Sequence, residues 1–356
     1  MRYGLRLFHV LIPRTYPCKA FTPDPKNLTD PYWQNPPILS VFRNYTGYKN
    51  QRNGAIALDI GWVKFENFKV SDNILAGIEV ENSDSIIDGF AMIDGAIVVG
   101  RSDNADDFTN ASPSHGIITP RTDSFSVNNV RFYNFDISDK AAIGSCSHCF
   151  SIPSSDSGAR TVTFSKLYFD PTVTVKIRYQ YPKRDIFYDL DGTLTGIGPK
   201  TWATPYFKHN EQPECTLKPE VYDGFICESS IEIRRIVYYN FKPNIFDKQP
   251  MRILKYDDSI VGLMNNVSKK AYLDNITHYT DLEFRLMLKP MSSWAFPVIT
   301  GRKYKIHWKD GLDFTSMRVD LGATWKPTDK DVYIIHNFTD VRAKVDFLTG
   351  NDNIKN

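Results

Sequence analysis

Four eight-residue stretches align without gaps: VKFENFKV at 63–70, SIIDGFAM at 85–92, VRFYNFDI at 130–137 and VTFSKLYF at 162–169. Apolar residues recur at the first, third, sixth and eighth places, with Ser85 the exception. The third-place residues are Phe65, Ile87, Phe132 and Phe164. Their separations of 22, 45 and 32 residues read as one unit, two units, and one unit with an insertion. A second marker, a small residue before an apolar pair, appears as GAIAL at 54, GIEVE at 77, GAIVV at 95, GIITP at 116 and AAIGS at 141–145. Strand-like alternation at this period, with Gly or Asn at the turns, predicts a right-handed parallel β-helix. Each coil would contribute short strands whose alternate residues enter a shared core. Asn67 and Asn134 occupy the same place in the repeat and are expected to stack at one turn. A leucine-rich repeat has a similar period but needs a Leu-x-x-Leu-x-Leu frame, which is missing. Coincidental spacing in an ordinary β-sandwich is the competing reading.

Beyond about residue 225 the pattern changes to β-rich runs, IEIRRIVYYNF, FPVITGRKYKIHW and DVYIIHNF, separated by Pro, Gly and Asp turns. The expected fold class is therefore all-β. Residues 1–50 are a lead-in, 51–224 the parallel β-helix region and 225–356 a second, mostly-β domain. Only SKKAYLDNIT and DVRAKVDFL offer modest helical signals. RSDNADDFTNASPS at 101–114 reads as a polar loop bulging from one rung.

Lys plus Arg total 43 against 41 Asp plus Glu, with both signs interspersed, so the net charge is only +2. A nucleic-acid binder would carry a basic stripe, so nucleic acid is not an expected partner. No apolar stretch approaches the roughly 18 residues of a membrane span. The N-terminal MRYGLRLFHVLIPRTYPC is a poor signal peptide, because its apolar run is broken by His9 and no small-residue cleavage site follows. The chain is thus expected to be cytosolic or an internal piece of a larger protein. Asn-x-Ser/Thr sequons at Asn27, Asn44, Asn110, Asn266, Asn275 and Asn337 favour the larger, glycosylated protein.

The run IFYDLDGTLTG at 186–196 carries the Asp-x-Asp-Gly-Thr of haloacid-dehalogenase phosphatases. In that chemistry Asp189 would attack a phosphoryl group, Asp191 would move the proton, and magnesium would bridge them. The remaining machinery would come from Ser229 or Ser230, Lys248 and the pair Asp257–Asp258. However, residues 197–226 hold Pro199, Pro205, Pro213 and Pro219 and lack the 3.6-residue period of a crossover helix. As an EF-hand loop the same aspartates would put Phe187 and Gly198 at the anchor ligand positions, so only an irregular calcium site at Asp189 and Asp191 is open. The favoured reading is a turn. In it Asp189 and Asp191 cap backbone amides and Gly192 takes a positive φ. No cofactor is expected, calcium being the one exception considered.

The five cysteines are Cys18, Cys146, Cys149, Cys215 and Cys227. Cys215 and Cys227 flank PECTLKPEVYDGFIC, which reads as a loop stapled by a disulfide, with two buried thiols as the alternative. CSHC at 146–149 supplies too few ligands for zinc on its own. A local Cys146–Cys149 disulfide is expected there, with a zinc or redox role and free thiols as alternatives. Cys18 is left over, its partner outside this chain.

Several stretches in order along the chain, among them PRTYPC at 13–18, GYKNQRNGAIALDIGWVKFENFKVSDN at 47–73, HGIITPR at 115–121, GSCSHCF at 144–150, DLDGTLTG at 189–196 and TGRKYKIHW at 300–308, carry a resemblance. The chain resembles the fibrocystin and fibrocystin-L family, most closely its fibrocystin-L branch. More distantly it resembles the cell-surface hyaluronidases related to them. In that setting DLDGTLTG resembles a family motif unrelated to phosphatases, although Thr193 stands where the family more often has Ser. The resemblance implies parallel β-helix repeats in a very large, glycosylated extracellular protein held by a single span and associated with cilia, stereociliary coats and cell surfaces. The family's signal peptide, repeated immunoglobulin-like domains and anchor are not in this chain, so it reads as a piece of a longer protein, or else as a small secreted relative.

The expected function is a structural or adhesive module of a cell-surface or ciliary coat, its partners being other domains or subunits of that assembly. The alternative is a polysaccharide-binding or polysaccharide-cleaving module, for which His115, Arg121 and Asp123, close together after one rung, are the candidate catalytic residues. The phosphatase is the third reading.

Overall fold

The structure, a computed structural model, describes residues 1–11, 38–82, 91–105, 115–120, 125–136, 140–145, 161–179, 185–206 and 212–242. Past residue 242 it gives the backbone of the strands between 250 and 348. The described chain is almost entirely β. It divides into two compact units, Met1–Ser147 with Val162–Arg178 and His148–Thr161 with Tyr179–Asn356.

In the first unit six parallel strands pair in the order Tyr3–Leu11, Asn53–Ile60, Ala76–Asn82, His115–Ile118, Ile143–Gly144, Ile177–Arg178. A second parallel sheet runs Ser40–Arg43, Val63–Glu66, Ala91–Val99, Phe125–Tyr133, Thr161–Ser165. Short strands Thr46–Tyr48, Lys69–Ser71 and Tyr168–Phe169 extend its rows. The chain visits the two sheets alternately, and each visit lays a strand beside the one laid on the previous visit. Parallel neighbours cannot be joined by a hairpin, so every return requires a crossover, and here the crossover is the other sheet.

The apolar places of the repeat are the inward rows. Phe65, Ile93, Val127 and Phe164 are in register and essentially inaccessible, as are Val63, Ala91, Phe125 and Val162. Simple alternation would turn Phe68 outward after Phe65, yet both are buried with ring centroids 5.1 Å apart. The residue between the two half-strands resolves this. Asn67 has φ 56°, and a single left-handed residue resets the alternation, so that inward places run 63, 65, then 68, 70. The same bend recurs at Asn44, Gly95, Asn129 and Lys166, each following the paired row Arg43, Glu66, Asp94, Asn128, Ser165. A second row of bends holds Lys49, Asp72 and Asn134.

These rows correct the sequence register. VKFENFKV and VTFSKLYF do align, since Val63 and Val162 lie in one row. VRFYNFDI is displaced: Val63 is level with Phe125, and Asn134 belongs to the second row of bends rather than beside Asn67. The cause is that both corners use the same local sequence, apolar-x-apolar-x-Asn-apolar. SIIDGFAM is also displaced, because Ala91 sits level with Val63 and residues 83–90 lie outside the described chain. Along the second sheet equivalent residues are Ser40, Val63, Ala91, Phe125 and Val162, so successive coils take 23, 28, 34 and 37 residues.

The small-residue marker forms a column on the first sheet. A Cβ on Gly4 would lie 2.6 Å from the Gly54 carbonyl oxygen, on Gly54 2.6 Å from that of Gly77, on Gly77 2.7 Å from that of Gly116, and on Gly116 2.5 Å from that of Ala142. GAIVV at 95 is not part of this column. Gly95 lies in the second sheet, at a bend with φ 76°.

The second unit begins with antiparallel strands in the order Ile186–Asp189, Thr201–Pro205, Gly224–Cys227, Cys215–Lys218. One helical turn, Pro219–Tyr222, closes the last hairpin, ended by Asp223 at φ 49°. Trp202, Phe225, Ile231 and Ile233 cluster with Ile186, Cys215 and Cys227, and the Trp202 indole donates to the Ile231 carbonyl at 3.1 Å. The sequence reads residues 215–227 as a loop, whereas the structure makes them a hairpin with Cys215 opposite Cys227. Farther along, two four-stranded sheets run Trp294–Ile299, Ile233–Lys242, Asp313–Asp320, Lys344–Leu348 and Tyr279–Leu286, Pro250–Tyr256, Lys303–Trp308, Tyr333–His336. The modest helical signal in DVRAKVDFL is not realised: Lys344–Leu348 is a strand, and Val345 and Phe347, two residues apart, follow the strand period. SKKAYLDNIT, at 268–277, lies outside the described residues.

Candidate functional site

Asp189 ends an antiparallel strand and is fully buried. One carboxylate oxygen accepts the Gly192 amide at 3.0 Å. The other accepts the Thr195 amide at 2.8 Å and the Thr195 hydroxyl at 2.9 Å. Asp191, exposed on the turn, accepts the Thr193 amide at 3.1 Å and its hydroxyl at 2.6 Å. Gly192 has φ 87°, and a Cβ there would strike the Gly198 carbonyl group. Thr195 and Thr201 share a hydroxyl contact of 2.6 Å, and Thr201 donates to the Gly198 carbonyl at 2.8 Å. DLDGTLTGIGPKT is thus a wide hairpin connection wound around one buried carboxylate. Burial pushes the Asp189 carboxyl above its ordinary range, against the pull of its amide donors.

This setting does not suit the phosphatase reading. That chemistry needs an accessible nucleophile at the end of a strand in a parallel sheet, but Asp189 is buried and its strand pairs antiparallel with Thr201–Pro205. Ser229 and Ser230 lie on a turn, while Lys248, Asp257 and Asp258 lie outside the described residues. The sequence did not single out Thr195, Thr201 or Tyr222. Their signal was present as hydroxyl residues clustered around a buried acid, but only the fold shows which of many hydroxyls meet it.

The buried Tyr222 hydroxyl donates to the Leu194 carbonyl at 3.2 Å and the Thr195 carbonyl at 3.0 Å. Burial, helped by the nearby Asp189 charge, pushes its pKa up to about 12. A raised folded-state pKa means that the neutral phenol is favoured in the fold. Its contribution is intact below the unfolded value near 10 and is lost as pH climbs from there towards 12. Tyr222→Phe is expected to flatten that part of the alkaline stability profile by about 2 to 3 kcal/mol. Denaturant melts across that range, read beside tyrosinate absorbance, test this.

His115 opens its strand and is buried, level with Ala76 and packed where any side chain on Gly144 would overlap its ring. Arg121 and Asp123 lie outside the described residues, as do Cys18, Cys146 and Cys149 and the sequons at Asn27, Asn110, Asn266, Asn275 and Asn337. Cys215 and Cys227 form a disulfide. Asn44, the sequon residue that is described, is exposed at a bend. Among the described residues no group of three or more His, Cys, Asp or Glu gathers as a metal site would need. A cavity of about 310 Å³ beside the Asp189 turn is lined by Ile197, Thr201, Glu214, Ile226 and Glu228 among others.

Among the described residues, the outward face of the second sheet carries a continuous polar array. Arg43 donates to Glu66, Lys64 reaches Glu66 at 3.3 Å and Asp94 at 2.6 Å, Asn128 donates to Asp94 at 2.7 Å, and Ser165 to Asn128 at 2.8 Å. One chain of contacts therefore crosses five adjacent strands beside the first row of bends. Exposed pairs of this kind contribute little each, but together they fix the register of the outer face.

No family model matches the chain. Fibrocystin-L of Homo sapiens is 23% identical to it over 332 residues, which cover 89% of this chain and 7% of that protein. Fibrocystin-L of Mus musculus is 24% identical over 333 residues, again 89% and 7%. Fibrocystin of Canis lupus familiaris is 26% identical over 166 residues, 47% of this chain. The chain is a distant relative of the fibrocystins. It spans only about 7% of the length of the fibrocystin-L proteins it matches, so the similarity concerns one region of a much longer polypeptide. The match to fibrocystin-L runs through most of the chain, and 89% coverage cannot be confined to either unit alone.

Proposed function

We propose that this fibrocystin-like chain is an extracellular structural module of a large cell-surface glycoprotein, in which a right-handed parallel β-helix presents rigid outer faces to its surroundings. The observation that carries this reading is the alternate, coil-by-coil visiting of two parallel sheets with left-handed bends repeated in register. Right-handed crossovers dominate parallel connections, which supports the handedness. The buried cross-strand disulfide and the exposed sequon at Asn44 support an oxidising, glycosylating compartment. The partners would be neighbouring domains or subunits of a coat, and a ciliary surface is one such setting.

Secretion of the chain from animal cells tests the reading. Endoglycosidase is expected to remove a glycan that Asn44→Gln lacks, and peptide mapping to recover the Cys215–Cys227 bridge. A folded secreted chain with Asn44 unmodified and both thiols free would overturn it.

A further inference from the structure

Beyond the first row of bends the second sheet turns another face outward, formed by two rows of side chains. One row is Thr46, Lys69, Ile97, Arg131, Tyr168, and the next is Tyr48, Ser71, Val99, Tyr133, Asp170. Tyr48 is 63% exposed, Tyr168 48% and Ile97 38%, so large apolar side chains stand open in both rows.

The charges of the two rows are opposite and unspent. Lys69 and Arg131, in the first row, are exposed, and neither makes an ion pair with a carboxylate among the described residues. Asp170, in the second, accepts from neutral groups, the Thr172 amide and hydroxyl at 3.0 and 2.8 Å and the Tyr168 hydroxyl at 3.5 Å. The Thr172 bonds hold its carboxyl below the ordinary range, so it is charged at neutral pH.

We infer that this face pairs with the same face of a second copy, the two related by a two-fold axis that runs across the strands between the rows. Such an axis reverses the strand direction and lays each row on the other row of the partner. Ile97 then meets the partner's Val99, Lys69 the partner's Ser71, Thr46 the partner's Tyr48, and Tyr168 the partner's Asp170. Arg131 lies over the partner's Tyr133, a cation on an aromatic ring, with the partner's Asp170 one strand to the side, about 5 Å away. Symmetry makes each contact twice, and no cation faces a cation. An axis along the strands through Ile97 would instead set Lys69 against the partner's Arg131, so charge selects the first arrangement.

Five strands and two rows supply about ten side chains from each copy, against roughly twenty to thirty in a standard stable interface. The association is therefore weak, with a Kd on the order of 10⁻⁴ M, and takes effect where copies are crowded on one surface. That setting is the coat proposed above; the pairing itself rests only on the rows of the second sheet.

Sedimentation equilibrium of the full secreted chain, from below that concentration to a few times above it, is expected to show monomer and dimer in a balance that salt weakens. Arg131→Glu and Asp170→Lys should each weaken the dimer at least tenfold. The double variant, which exchanges the two signs, should recover most of the loss. Lys218→Glu, in the second unit, should change nothing. Thermal melts show whether the variants remain folded, which matters at Asp170 because it holds the Thr172 turn. Ile97→Cys, treated with a short bismaleimide, tests the same face without altering a charge: cross-linked dimer is expected from it and not from Lys218→Cys. A monomer throughout the concentration range would overturn the inference. So would a folded double variant that recovers nothing, or equal cross-linking at both positions.

Discussion

Asp189→Ala is expected to destabilise the second unit by about 4 kcal/mol. The substitution would leave the Gly192 and Thr195 amides without their acceptor and the Thr195 hydroxyl with only Thr201 to turn to. Each orphaned buried donor costs about 1 to 3 kcal/mol, partly relieved as the turn loosens. Asp189→Asn should be nearly as damaging, because whichever way the amide sits, its NH2 faces a donor. Asp191→Ala, on the exposed side of the same turn, should cost about 1 kcal/mol or less. Urea unfolding followed through Trp202, packed in the same unit, would rank the three. A stable, folded Asp189→Ala chain would mean that the turn does not depend on its carboxylate.

Gly77→Val is expected to prevent the first unit from folding stably. A Cβ at Gly77 would meet the Gly116 carbonyl oxygen at 2.7 Å and Val70 at 2.8 Å, with Val98 at 3.3 Å. A side chain end can rotate away, but a backbone carbonyl paired into a sheet cannot, so the strands themselves would have to separate. Gly77→Ala should cost about 3 kcal/mol and the valine more. Gly196→Ala is the useful contrast. It sits at φ 75° with nothing within 4 Å of its added Cβ, so only backbone strain of about 1 kcal/mol opposes it. Thermal melting and secreted yield of the three variants distinguish steric exclusion from mere loss of glycine flexibility.

The legible part of this fold was the pattern of places rather than its register. Apolar residues at 63, 65, 68 and 70 already contain the bend, since strict alternation fails once, at Asn67. The glycines at 54, 77 and 116 are likewise spaced as a column. What the sequence could not separate were two corners with the same local chemistry, because Asn67 and Asn134 meet the same conformational demand in different rows. Coil lengths that grow from 23 to 37 residues then hide the misassignment. The Asp189 turn was legible because short-range hydrogen bonding and Gly192 determine it. Tyr222 was not, since its contact with that turn spans 27 residues and depends on how a separate hairpin docks. The exposed tyrosines carry no sequence signal at all until the row pairing puts Tyr48, Tyr133 and Tyr168 on one surface.

The order of pairing has a consequence for how such a polypeptide is made. Every coil of the first unit leans on the one that precedes it in the chain, and its pairing partners were synthesised only a few tens of residues earlier. A nascent chain could therefore wind progressively from its N-terminal coil onward, each new coil templated on a finished edge, without waiting for distant segments to emerge. The leading edge would remain the adhesive end throughout synthesis. A pause within a coil would thus expose more unpaired backbone than a pause between coils, and codon or chaperone effects should follow the 23-to-37-residue rhythm of the coils rather than the limits of the two units.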